Sequence, residues 1–191
     1  MVKMAVLNQK RESIGMNFFP HESIEMPRQE SGLIAADKAS LNSFWANLDA
    51  RLEDELSEGI GCYIFSVRAG RGVLPWYVGK AEKQSFRSEC FAAHKLNHYN
   101  NIVASRRGTP LLTLVAKYTP TDRLVRPGSS DHRDITFLET MLISAAIRRN
   151  SEVINVRDTK LLREMTVPGM LNTPPGKAHG SVASFRDLMG T

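Results

Sequence analysis

Cysteine is almost missing from this chain. Cys62 and Cys90 are the only two among 191 residues, and they stand in no metal-ligand spacing. That argues against a disulfide scaffold and a structural zinc, and it suits a reducing compartment such as the cytoplasm. Long apolar runs are missing as well. The stretch Met4 to Leu7 is too short for a signal peptide or a membrane span, so no membrane association is expected. No internal repeat, zinc finger or helix-turn-helix can be read. Gly176-Lys177 is followed by Ala178, and Gly169 is wrongly spaced for a P-loop, so nucleotide binding by that motif is not expected. Charge is not balanced: the net value of +5 permits a polyanionic partner without requiring one.

The length suits one domain with one good core. Residues 1–36 carry Pro20 and Pro27 and few periodic apolar residues, so they read as an irregular arm. Leu41, Phe44, Trp45, Leu48, Leu52 and Leu56 form one helical stripe. It predicts a helix over 37–57, capped by Asp37 or Ser40 and closed by Gly59. Two short apolar runs follow, on either side of Arg68-Ala69-Gly70-Arg71-Gly72, and predict a β-hairpin with a loop longer than two residues. Pro75 at the start of the second strand fits only an edge or an end. A second helix is expected over 85–105, with Arg87, Phe91, His94 and His98 on one face. A third strand over 111–118, a loop over 120–131 and a helix over 133–149 complete the domain. In the tail from Thr159 onward, Val182, Phe185 and Leu188 predict one short amphipathic helix.

The hairpin carries most of the chemistry. Tyr63 and Tyr77 put one phenol in each strand, Gly79 permits close approach, and Arg87 opens the next helix, where amides also favour anions. Two phenols, a close-approach glycine and a guanidinium suit a site handling a phosphodiester. The structural alternative is two ordinary strand aromatics and a surface charge. Glu139 lies within or beside the apolar stripe of Ile135, Leu142, Ile143 and Ala146. A carboxylate there needs a partner, either a divalent cation or an arginine such as Arg87. His94 and His98 are spaced like two metal ligands on a helix, but no third ligand is evident, so zinc is not expected.

Gly61-Cys62-Tyr63 and Tyr77-Val78-Gly79 resemble the two halves of the GIY-YIG nuclease signature, with Cys62 and Val78 each standing for isoleucine. Lys80-Ala81 and Arg87 are similar to the form in the incision subunit of bacterial nucleotide-excision repair. Leu138-Glu139-Thr140-Met141-Leu142-Ile143 is similar to the family's Glu-bearing helix. Asn155-Val156-Arg157-Asp158 resembles the tract after it, although Arg157 follows Val156 directly. The resemblance spans residues 59–158. Residues 64–76 separate the two tyrosines, slightly more than usual, which points to a larger hairpin loop.

The resemblance implies an α/β (α+β) fold, with a small central antiparallel sheet of about three strands flanked by helices. It divides the chain into an irregular arm at 1–36, a nuclease domain with its leading helix at 37–158, and an extension at 159–191. It implies a divalent-metal-dependent endonuclease that hydrolyses phosphodiester bonds, of DNA rather than RNA, in a setting such as repair or restriction. Glu139 would hold Mg²⁺ or Mn²⁺. Tyr63 would activate the attacking water, Tyr77 would support the water or the phosphate, and Arg87 would stabilise charge on phosphorus; exchange of the two tyrosine roles stays open. Gly79 would allow close approach, Lys80 would assist Tyr63 electrostatically, and His94 would contact phosphate. Asn155 would support the site by hydrogen bonding or cap a turn. The alternative is a non-catalytic nucleic-acid-binding module that retains the fold, for which Cys62, the longer spacing and the basic charge speak. A protein-interaction domain using the stripe from Leu41 to Leu56 is a third reading.

Overall fold

The computed structural model describes residues 17–52, 55–155, 159–170, 172–173 and 180–190. Residues 1–16 of the expected arm, Val156, Arg157 and Asp158 of the tract after the Glu-bearing helix, and residues 174–179 of the tail lie outside the described residues. The fold is α+β, as expected. Three long antiparallel strands form its centre: β3 (Gly61–Ala69), β4 (Gly72–Ala81) and β5 (Thr109–Tyr118). Two short strands, β1 (Asn17–Pro20) and β2 (Ile24–Glu25), add to β5, so the sheet has five strands and the order β1-β5-β3-β4, with β2 beside β1 on β5. Both come from the segment read as irregular. Strands of four and two residues are too short to display a period of two, and backbone pairing to β5 defines them instead.

The β3–β4 hairpin departs from expectation. Ala69 pairs with Gly72, which leaves only Gly70 and Arg71 in the turn. Gly70 has φ +56°, and it occupies the first loop position, where a two-residue II′ turn takes glycine. The extra length between the tyrosines therefore lies in longer strands and a bulge, not in a larger loop. Phe65 stands opposite Tyr77 but Ser66 opposite Pro75, so Trp76 is the additional residue. The bulge lets Trp76 and Tyr77 both lean on the same core. Pro75 lies on β4, an edge strand, where its missing amide costs no ladder bond to a further strand.

Alternation along the strands builds two cores. Tyr63, Phe65, Leu112 and Leu114 face helix α1 (Lys38–Leu52) and the short helix α2 (Phe86–Glu89) with α3 (Ala93–Ser105). Cys62, Val78 and Val115 face α4 (Arg133–Arg149), which buries Ile135, Ile143, Ala146 and Ile147. Asp37 caps α1, accepting from the Ser40 amide at 2.9 Å, and that bond holds its carboxyl below the usual range. Lys117, nearly buried on β5, anchors the start of α4 by an ion pair with Asp134 at 2.6 Å and a contact with His132 Nδ1 at 3.0 Å. Two helices follow, α5 (Thr159–Glu164) and α6 (Gly180–Met189); α6 bears out the short tail helix but buries none of its residues. Among the described residues, no helix is long and apolar enough to cross a membrane.

The expected helix over 85–105 is two helices. Ala92, at φ −56° and ψ 145°, leaves the helical region between α2 and α3. Phe86, Cys90 and Phe91 are buried before the break, and Tyr99, Ile102 and Val103 after it. No single face of a continuous helix carries both sets, so burial breaks the helix. Phe91 lies edge-on to Phe44 and Trp45, at 5.3 and 5.6 Å between ring centroids. Arg87 consequently shares no helix face with His94 and His98.

Candidate active site

Groups from both faces of the sheet meet around the outer edge of β4. Tyr77 leaves β4 on the α3 side and Lys80 on the α4 side, since they bracket the Val78-Gly79 pair on an alternating strand. They line one open cavity of about 460 Å³ together with Glu82, Lys95, His98, Glu139 and Asn155. Five of these, Tyr77, Lys80, Glu139, His98 and Asn155, were singled out from sequence. Glu82 and Lys95 were not.

Tyr63 does not line the cavity. It is fully buried, its ring centroid 6.2 Å from that of Tyr77, and its hydroxyl has no hydrogen-bond partner among the described residues. Burial pushes its phenol well above the usual value, with Tyr99 and Cys90 adding to the effect. Gly79 stands opposite it in the β3–β4 register. A Cβ at Gly79 would run into the hydroxyl end of the Tyr63 ring, with Cε2 only 2.8 Å away. What approaches Gly79 closely is therefore the Tyr63 ring. Gly79→Ala is expected to force Tyr63 out of place and to cost about 1–3 kcal/mol, as overpacking does. A denaturant midpoint unchanged from the wild type would refute this close packing.

Tyr77 is the phenol that solvent reaches. Lys95 Nζ donates to its hydroxyl oxygen and stands 4.7 Å from its ring centroid. The His98 ring stacks beside it, 16° from parallel with centroids 6.1 Å apart. Lys95 also lies 3.7 Å from Glu89 Oε1. The signal for Lys95 was present in the sequence: it precedes Tyr99 by four residues and Ile102 by seven, on the stripe that α3 buries.

On the other side, Lys80 Nζ lies 3.3 Å from Glu82 Oε2 and 3.9 Å from Glu139 Oε2, and donates to Thr136 Oγ1 at 2.6 Å. The His132 amide donates to Glu82 at 2.9 Å and holds its carboxyl below the usual range, so Glu82 is ionised at neutral pH. One positive centre thus already sits between two carboxylates. Among the described residues no cluster of three or more His, Cys, Asp or Glu could cage a metal ion. Mg²⁺ does not require one: it binds through one or two carboxylates, substrate phosphate and water. Glu139, with Glu82 across Lys80, fits that demand.

Arg87 is not brought to this cavity. Its guanidinium turns to Glu58 at 2.8 Å, Asp49 at 3.3 Å and Ser57 Oγ at 3.0 Å, bridging α1, the turn before β3 and α2. The break at Ala92 lets α2 pack against that turn while α3 lines the cavity. His94 is exposed and does not line the cavity either. Asn155 does, but its amide is engaged with β4: Val78 N donates to its Oδ1 at 2.9 Å and its Nδ2 donates to Val78 O at 2.7 Å. It continues the ladder along the strand that carries Tyr77 and Lys80. No protein-family model, curated protein or solved structure matches this chain.

Proposed function

We propose that this protein is a divalent-metal-dependent endonuclease of GIY-YIG type acting on DNA. The observation that carries the reading is that a solvent-reached phenol, Tyr77, and a helix-borne carboxylate, Glu139, line one open cavity across the edge of β4. A phosphodiester in that cavity has a proton acceptor on one side and an anionic ligand for a hard cation on the other. Mg²⁺ or Mn²⁺, held by Glu139, would supply Lewis acidity at the phosphate. Tyr77 takes the proton of the attacking water. Of the two assignments open from sequence, this one is favoured because the Tyr63 hydroxyl is enclosed and burial opposes its phenolate. Tyr63 instead packs its ring across Gly79 of β4. Asn155 and Thr136 fix β4 and Lys80 beside the reacting centre.

A second reading, a non-catalytic nucleic-acid-binding module, is favoured by one observation: Lys80 already supplies positive charge between Glu82 and Glu139. Both readings require a polyanionic partner. With about four cations on phosphates, the log–log salt slope for duplex binding is expected near −3.6. A flat salt dependence would remove nucleic acid as the partner. Cleavage of end-labelled duplex with Mg²⁺ and with a chelator separates the two readings; tight binding without any Mg²⁺-dependent product would favour the module.

A further inference from the structure

We propose that Lys95 supplies the positive charge at the reacting phenol of this site, Tyr77, an assistance that the resemblance gives to Lys80 and only for Tyr63. The proposal rests on the nuclease reading above. A lysine whose side chain is only 12% exposed must be compensated. Glu89, at 3.7 Å, offers part of that compensation. The shorter contact, however, is to Tyr77 Oη, and the ammonium also lies over the faces of Tyr77 and, at 6.0 Å, Tyr63. The charge is aimed at the oxygen of a phenol that lines the cavity.

The other candidate cations are committed elsewhere. Arg87 is held by Glu58, Asp49 and Ser57. Lys80 belongs to the opposite side of the edge strand, among Glu82, Glu139 and Thr136. His98 presents its ring face to Tyr77. Lys95 alone of these donates to Tyr77 oxygen.

In the reaction, the bond from water oxygen to phosphorus forms and the bond to the leaving oxygen breaks. Tyr77 first gives its own proton to solvent and then takes one from the attacking water, the leaving oxygen takes a proton from solvent, and one water is consumed. Lys95 keeps its protons throughout. It compensates negative charge on Tyr77 oxygen before the transfer and orients the lone pairs by its own N–H. No oxidant or reductant enters.

The test compares wild type, Lys95→Met, Lys95→Arg, Tyr77→Phe and the double variant Lys95→Met/Tyr77→Phe in single-turnover cleavage of duplex DNA with Mg²⁺. Duplex affinity and melting temperature are measured on each. Lys95→Met is expected to cut about 10²-fold more slowly, the usual loss for one charge-stabilising donor, with affinity within about tenfold of wild type. Lys95→Arg should keep at least about a tenth of the rate, because the charge survives. The double variant should be about as slow as Tyr77→Phe alone, since the lysine acts through that oxygen. A merely structural lysine would lower melting and affinity without this non-additivity. Should Lys95→Met fail to fold, Lys95→Arg and Tyr77→Phe still decide: an arginine variant that folds like wild type yet loses all cleavage would overturn the charge role. Lys95→Met cutting at the wild-type rate, or losses that multiply in the double variant, would overturn it too. A wild type that cuts nothing with Mg²⁺ or Mn²⁺ would instead overturn the nuclease reading, and this proposal with it.

Discussion

Glu139→Ala is expected to lower metal-dependent cleavage by about 10³-fold or more, the several kcal/mol that one Lewis-acid site supplies, while the protein stays folded. The reason lies in how α4 is held. Ile135, Ile143, Ala146 and Ile147 bury its inner face, and the Lys117–Asp134 pair anchors its first turn. Glu139 is not among the residues that α4 buries. Its side chain is 22% exposed and its contact with Lys80 is long, at 3.9 Å. Lys80 without it still has Glu82 and Thr136. A partly exposed pair of this kind contributes about 1 kcal/mol or less. Rate and stability are therefore predicted to separate, and single-turnover cleavage with thermal melting on the same preparation reads both. A variant that cuts like wild type but melts far earlier would make Glu139 a structural ion-pair partner and remove it from the chemistry.

Tyr77→Phe should lower the single-turnover rate by roughly 10²–10⁴-fold, the range for loss of a positioned general base. Substrate affinity should hardly change, because the lost proton transfer belongs to the transition state. Tyr63→Phe should behave differently although both tyrosines lie in the stretch that resembles the nuclease signature. Its hydroxyl is buried in the core and Tyr63 does not line the cavity. Removing it should change stability by no more than about 1 kcal/mol, and the ring that packs on Gly79 is kept. The measurement is single-turnover cleavage with Mg²⁺ on wild type and both variants. A large loss in Tyr63→Phe with none in Tyr77→Phe would reverse the assignment.

Sequence patterns located the long elements through what they bury. Apolar runs marked β3, β4 and β5, whose central strands are covered on both faces, and the stripes of α1 and α4 matched residues they bury. What escaped was set by tertiary pairing. β1 and β2 exist through backbone bonds to β5, which short mixed segments do not advertise. The hairpin loop looked long because the bulge at Trp76 adds a residue without lengthening the turn. The interruption at Ala92 has no proline to announce it; it follows from burying Phe91 against Phe44 and Trp45. That break also explains why Arg87 was placed beside the histidines and Lys95 was passed over. On a continuous helix Arg87 would have stood over the histidines and a lysine between them would have been unremarked. With two helices, Arg87 falls to the acidic groups of α1 and the following turn, and Lys95 turns to Tyr77. Gly79 was legible as a close-approach position, but only the cross-strand register identifies the Tyr63 ring as what approaches.

The central claim is metal-dependent hydrolysis in the cavity at the β4 edge. Nicking of supercoiled plasmid by the full chain tests it most directly, with Mg²⁺, with Mn²⁺ and with excess chelator, run beside Glu139→Ala. Nicked circles are expected with either metal, none with chelator, and from Glu139→Ala about 10³-fold fewer or none. Plasmid left intact by the wild type with both metals, or nicked equally by wild type and Glu139→Ala, would contradict it.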